Sequence, residues 1–474
     1  MPNENDTIVA ISTPPGEGGI GIVRISGPKS KDIALQIFIK ASPKQKAFDK
    51  QGFSPESKKL YYGYIVDEKG KEIDEVLLSF MQAPYTYTRE DVVEINAHGG
   101  LVSLRNILEL IIKKGARLAN PGEFTKRAYL NGRIDLLQAE SILQIVHAKT
   151  EKGLKAAIQG LKGAISGEIL KIRDEIINIL AEIEVDVDFA HEDLDLVESE
   201  QYESIAGKVK ELKKQVDVLL EKRTRGKILQ EGLKTVIVGK PNVGKSSLYN
   251  YLVQEDRAIV TEIPGTTRDL LIEYINIKGV PLKLIDTAGL RKSGDVVEKI
   301  GMEISRKAME EADLLLFLLD ATTGITAEDK WISEKISAKN SESVIVVINK
   351  IDLEKNYEKE KIEQYLPYKK IMETSLETGE GLEELEDAIV EMVFSGGLQE
   401  EEGGALFLEV RHGELLSRVA MSVDDALKAL EQKYPLDIVS IDMRLAQQCL
   451  GNLLGENTGE AVLSNIFERF CIGK

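Results

Sequence analysis

Residues Gly239-Lys240-Pro241-Asn242-Val243-Gly244-Lys245-Ser246 have the types and spacing of a phosphate cradle, G-x-x-x-x-G-K-[ST]. In such a loop the backbone N–H groups point inward at phosphate oxygens, at a helix N-terminus that already favours anions. Lys245 would bring a point charge to the outer phosphates, and the Ser246 hydroxyl would ligate Mg²⁺. Asn242, Val243, Gly244 and Ser247 complete the expected nucleotide-contacting set of this loop. Farther on, Asp286-Thr287-Ala288-Gly289 ends an apolar run. Asp286 would reach the metal through water, and Gly289 would leave room for a γ-phosphate. Asn349-Lys350-Ile351-Asp352 ends another such run and reads as the base selector. A carboxylate accepts two hydrogen bonds, and guanine offers adjacent N1–H and N2–H₂ donors; adenine would leave Asp352 buried and unpaired. The expected nucleotide is therefore GTP. Between these motifs lies Thr261-Glu262-Ile263-Pro264-Gly265-Thr266-Thr267-Arg268-Asp269. It reads either as a polar loop or as a switch whose Thr267 completes the Mg²⁺ shell when the γ-phosphate is present; the flanking motifs favour the switch. Leu290 stands where Ras-like enzymes orient water with Gln, which leucine cannot do. Glu298 can orient water instead, and beside Lys299 it reads equally well as a solvated charge.

Elements must hold these motifs in place. Residues 235–238, 282–285 and 344–348 are β-rich runs, each leading into one motif, so the motifs should line the carboxyl edge of a parallel sheet. Strand–helix alternation continues from about Lys234 to about Phe394, and Gly396-Gly397 and Gly403-Gly404 then mark a linker. Helical periodicity flanks this unit. Before it, Ile165, Ile169, Ile172, Ile176, Ile179 and Ile183 line one face of a long helix, and a second helix covers about 202–222. The acidic run 186–200 between them reads as a solvated loop. After the linker, helices are expected over 406–432, 437–453 and 460–470. The simplest arrangement is an α/β domain inserted into a helical one. The first 118 or so residues read as mixed α/β. They contain short strands at 8–11 and 20–25 split by a Pro/Gly-rich loop, a hairpin over 60–66 and 73–81, a strand at 92–97, and a helix carrying Leu101, Leu104, Leu108 and Ile111.

Length and charge bound the rest. A chain of 474 residues implies two to four domains. Its 30% charged content excludes collagen-like and low-complexity classes. No apolar run is long enough to span a membrane, and the polar start at Met1 to Asp6 is not that of a signal peptide. Two cysteines exclude a disulfide framework, and a reducing, cytoplasmic setting is expected. A formal charge of −18 argues against nucleic-acid binding through the whole surface and leaves room for a local basic patch. The four histidines lack metal-ligand spacing.

Several further motifs are specific together: Asp6-Thr7-Ile8-Val9-Ala10 followed by Thr13-Pro14-Pro15-Gly16, Glu94-Ile95-Asn96-Ala97-His98-Gly99-Gly100, Pro121-Gly122-Glu123-Phe124, and the tail Cys471-Ile472-Gly473-Lys474. With them the chain resembles, over its whole length, the tRNA uridine-modification GTPases (MnmE/TrmE). The resemblance implies an N-terminal α/β folate-binding and dimerisation domain at 1–118 and a helical domain in two parts, 119–228 and 396–474. The Ras-like P-loop GTPase domain would occupy 229–395. It implies a homodimer that works with an FAD-containing partner on tRNA, modifying C5 of the wobble uridine with a one-carbon unit from 5,10-methylene- or 5-formyltetrahydrofolate. It implies K⁺ as an arginine-finger substitute, with Asn242, Thr261, Ile263 and Thr266 at the matching ligand positions. It matches Glu298 to the hydrolytic carboxylate and Arg24, Glu94, Arg133 and Lys474 to folate contacts. Two positions depart from the family pattern. Arg133 stands where Lys is common, and Ser375-Leu376-Glu377 replaces the usual Ser-Ala-Lys of the base-supporting loop. Cys471 is open to two readings, a thiol simply buried in a helical tail or a participant at the modification site.

Two other functions fit parts of the chain, a GTP-switched RNA or ribosome assembly factor and a folate-binding scaffold. Neither gives the N-terminal domain and the Cys471 tail a joint purpose, so the tRNA-modifying GTPase is the leading expectation.

Overall fold

The computed structural model describes residues 6–41, 53–189, 195–254, 272–285, 309–337, 343–357, 359–365, 370–394, 410–456 and 458–474. The first stretch contains β1 (Ile8–Ile11), β2 (Gly21–Ser26), α1 (Ser30–Ile37), β3 (Phe38–Lys40), β4 (Leu60–Val66), β5 (Glu72–Met81), β6 (Val92–Ala97), α2 (Leu101–Lys113) and β7 (Arg117–Leu118). Helices α3 (Glu123–Leu130), α4 (Leu136–His147), α5 (Glu151–Leu161), α6 (Ala164–Phe189) and α7 (Asp195–Glu231) follow. An α/β stretch contains β8 (Leu233–Val238), α8 (Lys245–Leu252), β9 (Ile272–Ile277), β10 (Val280–Ile285), β11 (Leu314–Asp320), α9 (Ala327–Ser337), β12 (Val344–Asn349), α10 (Lys359–Tyr365), β13 (Lys370–Thr374) and α11 (Leu382–Phe394). Then come α12 (Val410–Glu431), α13 (Leu436–Leu454) and α14 (Glu460–Phe467). Among the described residues, no helix is long and apolar enough to cross a membrane.

The chain forms two compact units, Met1–Leu143 with Leu450–Lys474, and Gln144–Cys449. In the first, a sheet of order β3-β4-β5-β6-β2-β1-β7 carries α1 and α2 on one face. The period of two along a strand decides which residues face them. Val23 and Ile25 of β2 and Val93 and Ile95 of β6 are buried in the same core as Ile33, Leu104 and Ile107. Their alternates Arg24 and Glu94 therefore sit on the opposite face, and antiparallel register places them directly across from each other. A second cluster, with Ala128, Leu136, Leu463, Phe467 and Phe470, seats the C-terminal helix on α3 and α4.

In the second unit the sheet order is β13-β12-β11-β8-β10-β9, parallel except for β9. Strand order reverses at β8, whose neighbours are β10 and β11, and such a switch point is where α/β sheets bind ligands. All six marked isoleucines of α6 are buried, as their spacing predicts. Helix α7 is longer than expected. Lys222 pairs with Glu168 and Lys208 with Glu182 on α6, while Lys213 pairs with Asp424 on α12. The order of the pairs shows α7 antiparallel to α6, and Lys213–Asp424 together with Arg223 against Gly413 shows the same for α12. The acidic run at 186–200 is not a loop at its ends, because α6 continues to Phe189 and α7 begins at Asp195. A stretch dense in charged residues carries no apolar period, so periodicity alone stops short of such ends.

Candidate functional site

The phosphate loop leaves the buried strand β8 and enters α8 at Gly244, whose φ is +106°. A Cβ at Gly244 would lie 2.4 Å from Asn349 Nδ2, and one at Gly239 would lie 2.6 Å from the Leu318 carbonyl oxygen. Both glycines are thus required by close approach, which is how the loop packs onto the ends of β11 and β12. Lys245 Nζ donates to the carbonyl oxygens of Gly239 at 2.7 Å and Lys240 at 2.5 Å, spanning the loop it must serve. Lys240 is anchored on the buried Asp329 at 3.0 Å. Ser246 and Ser247 are exposed on the first turn of α8, where a cation and phosphates could reach them.

The Asn349–Asp352 motif braces this loop. The Asn349 amide donates to the Val243 carbonyl at 2.9 Å and accepts from the Leu376 N–H at 3.2 Å. Lys350 donates to the Asn242 carbonyl at 2.9 Å and to Asp320 at 2.6 Å. Burial alone would push the Asp320 carboxyl up, but hydrogen bonds from Lys350 and Thr322 outweigh it and hold it below its usual range. Asp352 is exposed and accepts from the buried Ser375 hydroxyl at 2.5 Å. That hydroxyl also accepts the Thr378 N–H, so Ser375 ties its own loop to the Asp352 carboxylate. With Leu376 and Glu377 in place of the usual Ala-Lys, the loop still carries these Ser375 bonds and the Leu376 N–H bond to Asn349. Thr261, Glu262, Ile263, Pro264, Gly265, Thr266, Thr267, Asp286, Thr287, Ala288, Gly289 and Glu298 lie outside the described residues.

The other unit assembles a second constellation. Arg24 donates to Glu94 at 2.8 Å and to the Gly473 carbonyl at 3.2 Å. The last four residues are held at several points. Ser12 donates to the Gly473 carbonyl at 3.1 Å, and the N–H groups at the start of α3 reach the tail, Gly122 to the Cys471 carbonyl at 3.4 Å and Phe124 to the Lys474 carbonyl at 3.2 Å. Gly473 has φ +96°, and a Cβ there would come 2.5 Å from the Ile11 carbonyl oxygen. The Arg24 guanidinium lies 5.7 Å from the Tyr87 and Phe124 ring centroids, and that of Arg133 lies 4.5 Å from the Tyr87 centroid. Arg133 Nε is buried with no hydrogen-bond partner among the described residues. Arg133 also lines a hollow of ≈ 380 Å³ with Tyr129, Asp135, Gln138 and Glu456, and neither Arg24 nor Glu94 is among its described lining residues. Arg24, Glu94, Arg133 and Lys474 are thus drawn into one region. Cys471 is exposed, not buried, and lies beyond α14.

An ion-pair network underlies the tail contacts. Arg117 bonds Asp6 at 2.6 Å and Glu123 at 2.5 Å, and Arg127 bonds Asp6 at 2.7 Å and Glu90 at 3.0 Å. Burial raises the Asp6 carboxyl, yet the two arginines more than offset it and hold it low. The network fixes the first turn of α3, whose N–H groups hold the tail.

Asp320, Asp329, Ser12 and Tyr87 were not among the residues singled out from sequence. For Asp320 a signal existed, a carboxylate ending the apolar run Leu314–Asp320. Ser12 and Tyr87 act through contacts that no local spacing encodes.

A family profile described as GTP-binding protein TrmE N-terminus matches residues 7–133, and one described as MnmE helical domain matches residues 136–471. The chain is 48% identical over 472 residues to a tRNA modification GTPase MnmE of Alkaliphilus oremlandii, covering 99% of each chain. It is 47% identical to its counterpart in Clostridioides difficile over 471 residues, again 99% of each. Against the tRNA modification GTPase MnmE of Bacillus subtilis the identity is 43%, over 99% of this chain and 100% of that one.

Proposed function

This chain belongs to the MnmE/TrmE family of tRNA modification GTPases, and from that premise we propose that its GTP hydrolysis serves the addition of a (carboxymethyl)aminomethyl group at C5 of the wobble uridine. In this reading it acts in the cytoplasm as a homodimer with an FAD-containing partner protein. Lys245 and the loop N–H groups hold the phosphates, and Asp352, braced by Ser375, reads guanine. Ser246 and Thr267 ligate Mg²⁺, a role for which the exposed Ser246 hydroxyl is chemically suited. Asn242, Thr261, Ile263 and Thr266 hold K⁺, whose charge offsets that developing on the phosphates in the transition state. Glu298 orients the attacking water. Bound tetrahydrofolate, as its 5,10-methylene or 5-formyl derivative, supplies the one-carbon unit. Arg24, Glu94, Arg133 and Lys474 hold it, and the unmatched Arg133 Nε fits an anionic group such as its glutamate tail. Cys471, exposed at the start of the tail, is available to the modification chemistry.

The observation that carries this reading is the pairing, in one chain, of a braced guanine-nucleotide edge with a C-terminal tail bonded to Arg24. The test is nucleoside analysis of tRNA from cells lacking the protein. Loss of the modified wobble uridine, restored by the wild-type chain, is expected. An unchanged wobble position would reject the reading.

A further inference from the structure

The chain has 79 acidic against 61 basic residues, so cations left without carboxylate partners on one surface stand out. One such surface lies where α7 ends and α12 begins. The sequence there is Lys222-Arg223-Thr224-Arg225-Gly226-Lys227, a basic run in an acidic chain. Lys222 is neutralised by Glu168 at 2.9 Å and is not part of the set. Arg223 is different. Its Nε is buried with no hydrogen-bond partner among the described residues. Its guanidinium rests against α12 at Gly413, where a Cβ would come within 1.9 Å of the guanidinium carbon. Any larger residue at 413 would expel it. Arg223 and Arg418, from the two helices, line one hollow of ≈ 470 Å³ with Gly413, Glu414 and Ser417.

We propose that this hollow is a docking site for backbone phosphates of tRNA. The choice of RNA rests on the family reading above; the oxyanion chemistry rests on the site alone. Two guanidinium forks and a serine hydroxyl offer only donors to an incoming oxygen, a set suited to phosphate. The pair is held in place by packing of α7 on α12, with the Arg223 guanidinium against Gly413 and Lys213 paired with Asp424. Lys227, exposed on the last turns of α7, extends the positive surface along the helix, as a polyanion with regularly spaced charges requires. Among the described residues, Glu414 is the one carboxylate lining the hollow. It weakens binding of a lone anion more than that of a strand that touches several cations at once. A phosphate site confined to this patch also reconciles RNA binding with a net charge of −18.

The test is binding of an unmodified tRNA transcript to the full-length protein, followed by fluorescence anisotropy over a salt series. Arg418→Ala and Arg223→Gln should each weaken binding roughly 3- to 10-fold and reduce the salt slope by about 1. Glu414→Gln should tighten binding roughly 2- to 5-fold, a gain that a folding defect cannot mimic. GTP hydrolysis by the same preparations should match wild type, which controls for folding. Unchanged affinity and slope in all three variants would overturn the proposal. Inorganic pyrophosphate is the competing arm. If it binds in an Arg418-dependent way while tRNA affinity ignores Arg418, the site serves small phosphates and the RNA assignment is wrong. Restoration of wobble-uridine modification in cells is scored separately, so failure of the docking site and failure of the family reading give different results.

Discussion

The nucleotide edge and the carboxyl-terminal site reach their geometry by opposite routes. At the nucleotide edge the described groups sit within contiguous motifs at the ends of β8 and β12, and these motifs brace one another, as Asn349 does Val243 and Lys350 does Asn242. In the carboxyl-terminal site the partners come from the chain's extremes. Arg24 and Gly473 are 449 positions apart. Nothing local holds them together; a helix seated on α3, a glycine that only fits as glycine, and an ion-pair network do so. The first site should tolerate changes in distant packing and fail when a motif residue is lost. The second should fail when its scaffold is disturbed, even where no ligand-contacting group is touched.

The largest effect expected from this contrast is at Glu298. Glu298→Ala should slow single-turnover GTP hydrolysis by about 10²–10⁴-fold at saturating GTP while GTP binding persists. A rate within a few-fold of wild type would show that local motifs do not carry the catalysis. Hydrolysis should also run faster in K⁺ than in Na⁺, and equal rates would remove the cation from the account.

The scaffold dependence is probed at Gly122. Its φ is +65°, and a Cβ would meet the Phe467 carbonyl oxygen at 2.5 Å. Gly122→Ala should cost about 1–2 kcal/mol for the left-handed backbone and more for the clash, lowering the unfolding midpoint and loosening the tail. Gly70→Ala, at φ +79° with nothing within 4 Å, is the control and should cost less. Equal losses would mean that the tail contact contributes nothing.

A smaller effect is expected at Ser375. Ser375→Ala removes one hydrogen bond to Asp352, about 0.5–1.5 kcal/mol, and should weaken GTP roughly 2- to 10-fold without changing base preference. Asp352→Asn should instead move preference from guanine to xanthine, and retained guanine preference would sink the base-reader assignment.

The smallest effect is in acid. Asp320 has a depressed folded value, so its contribution to stability is complete above the unfolded value of 3.8 and is lost as pH falls through the folded one. Denaturant unfolding of wild type and Asp320→Asn should therefore differ most near neutrality and begin to converge as pH falls below about 4. A difference independent of pH would remove the Lys350–Asp320 pair from the brace.

These contrasts also explain what the sequence disclosed. The phosphate loop and the Asn349–Asp352 motif were legible because their chemistry requires residues within a few positions of each other. The long helix α6 was legible because six isoleucines mark its buried face. Asp320 was hidden at the end of an apolar strand, and its meaning appears only once Lys350 lies beside it. Ser12 and Tyr87 were hidden because the folded chain alone brings Ser12 to the Gly473 carbonyl and Tyr87 to Arg133. The helical ends of the 186–200 run were hidden because a stretch so dense in Asp and Glu shows no apolar period.

The central claim is that the last four residues complete a folate site that the nucleotide edge does not need. The direct test is titration of 5-formyltetrahydrofolate into wild type, Glu94→Ala and a chain lacking residues 471–474. Binding should be weakened at least about tenfold in both altered proteins, the loss expected when a charge-assisted contact of about 1.5–3 kcal/mol is removed. Binding equal to wild type in both would place the folate site elsewhere and contradict the account.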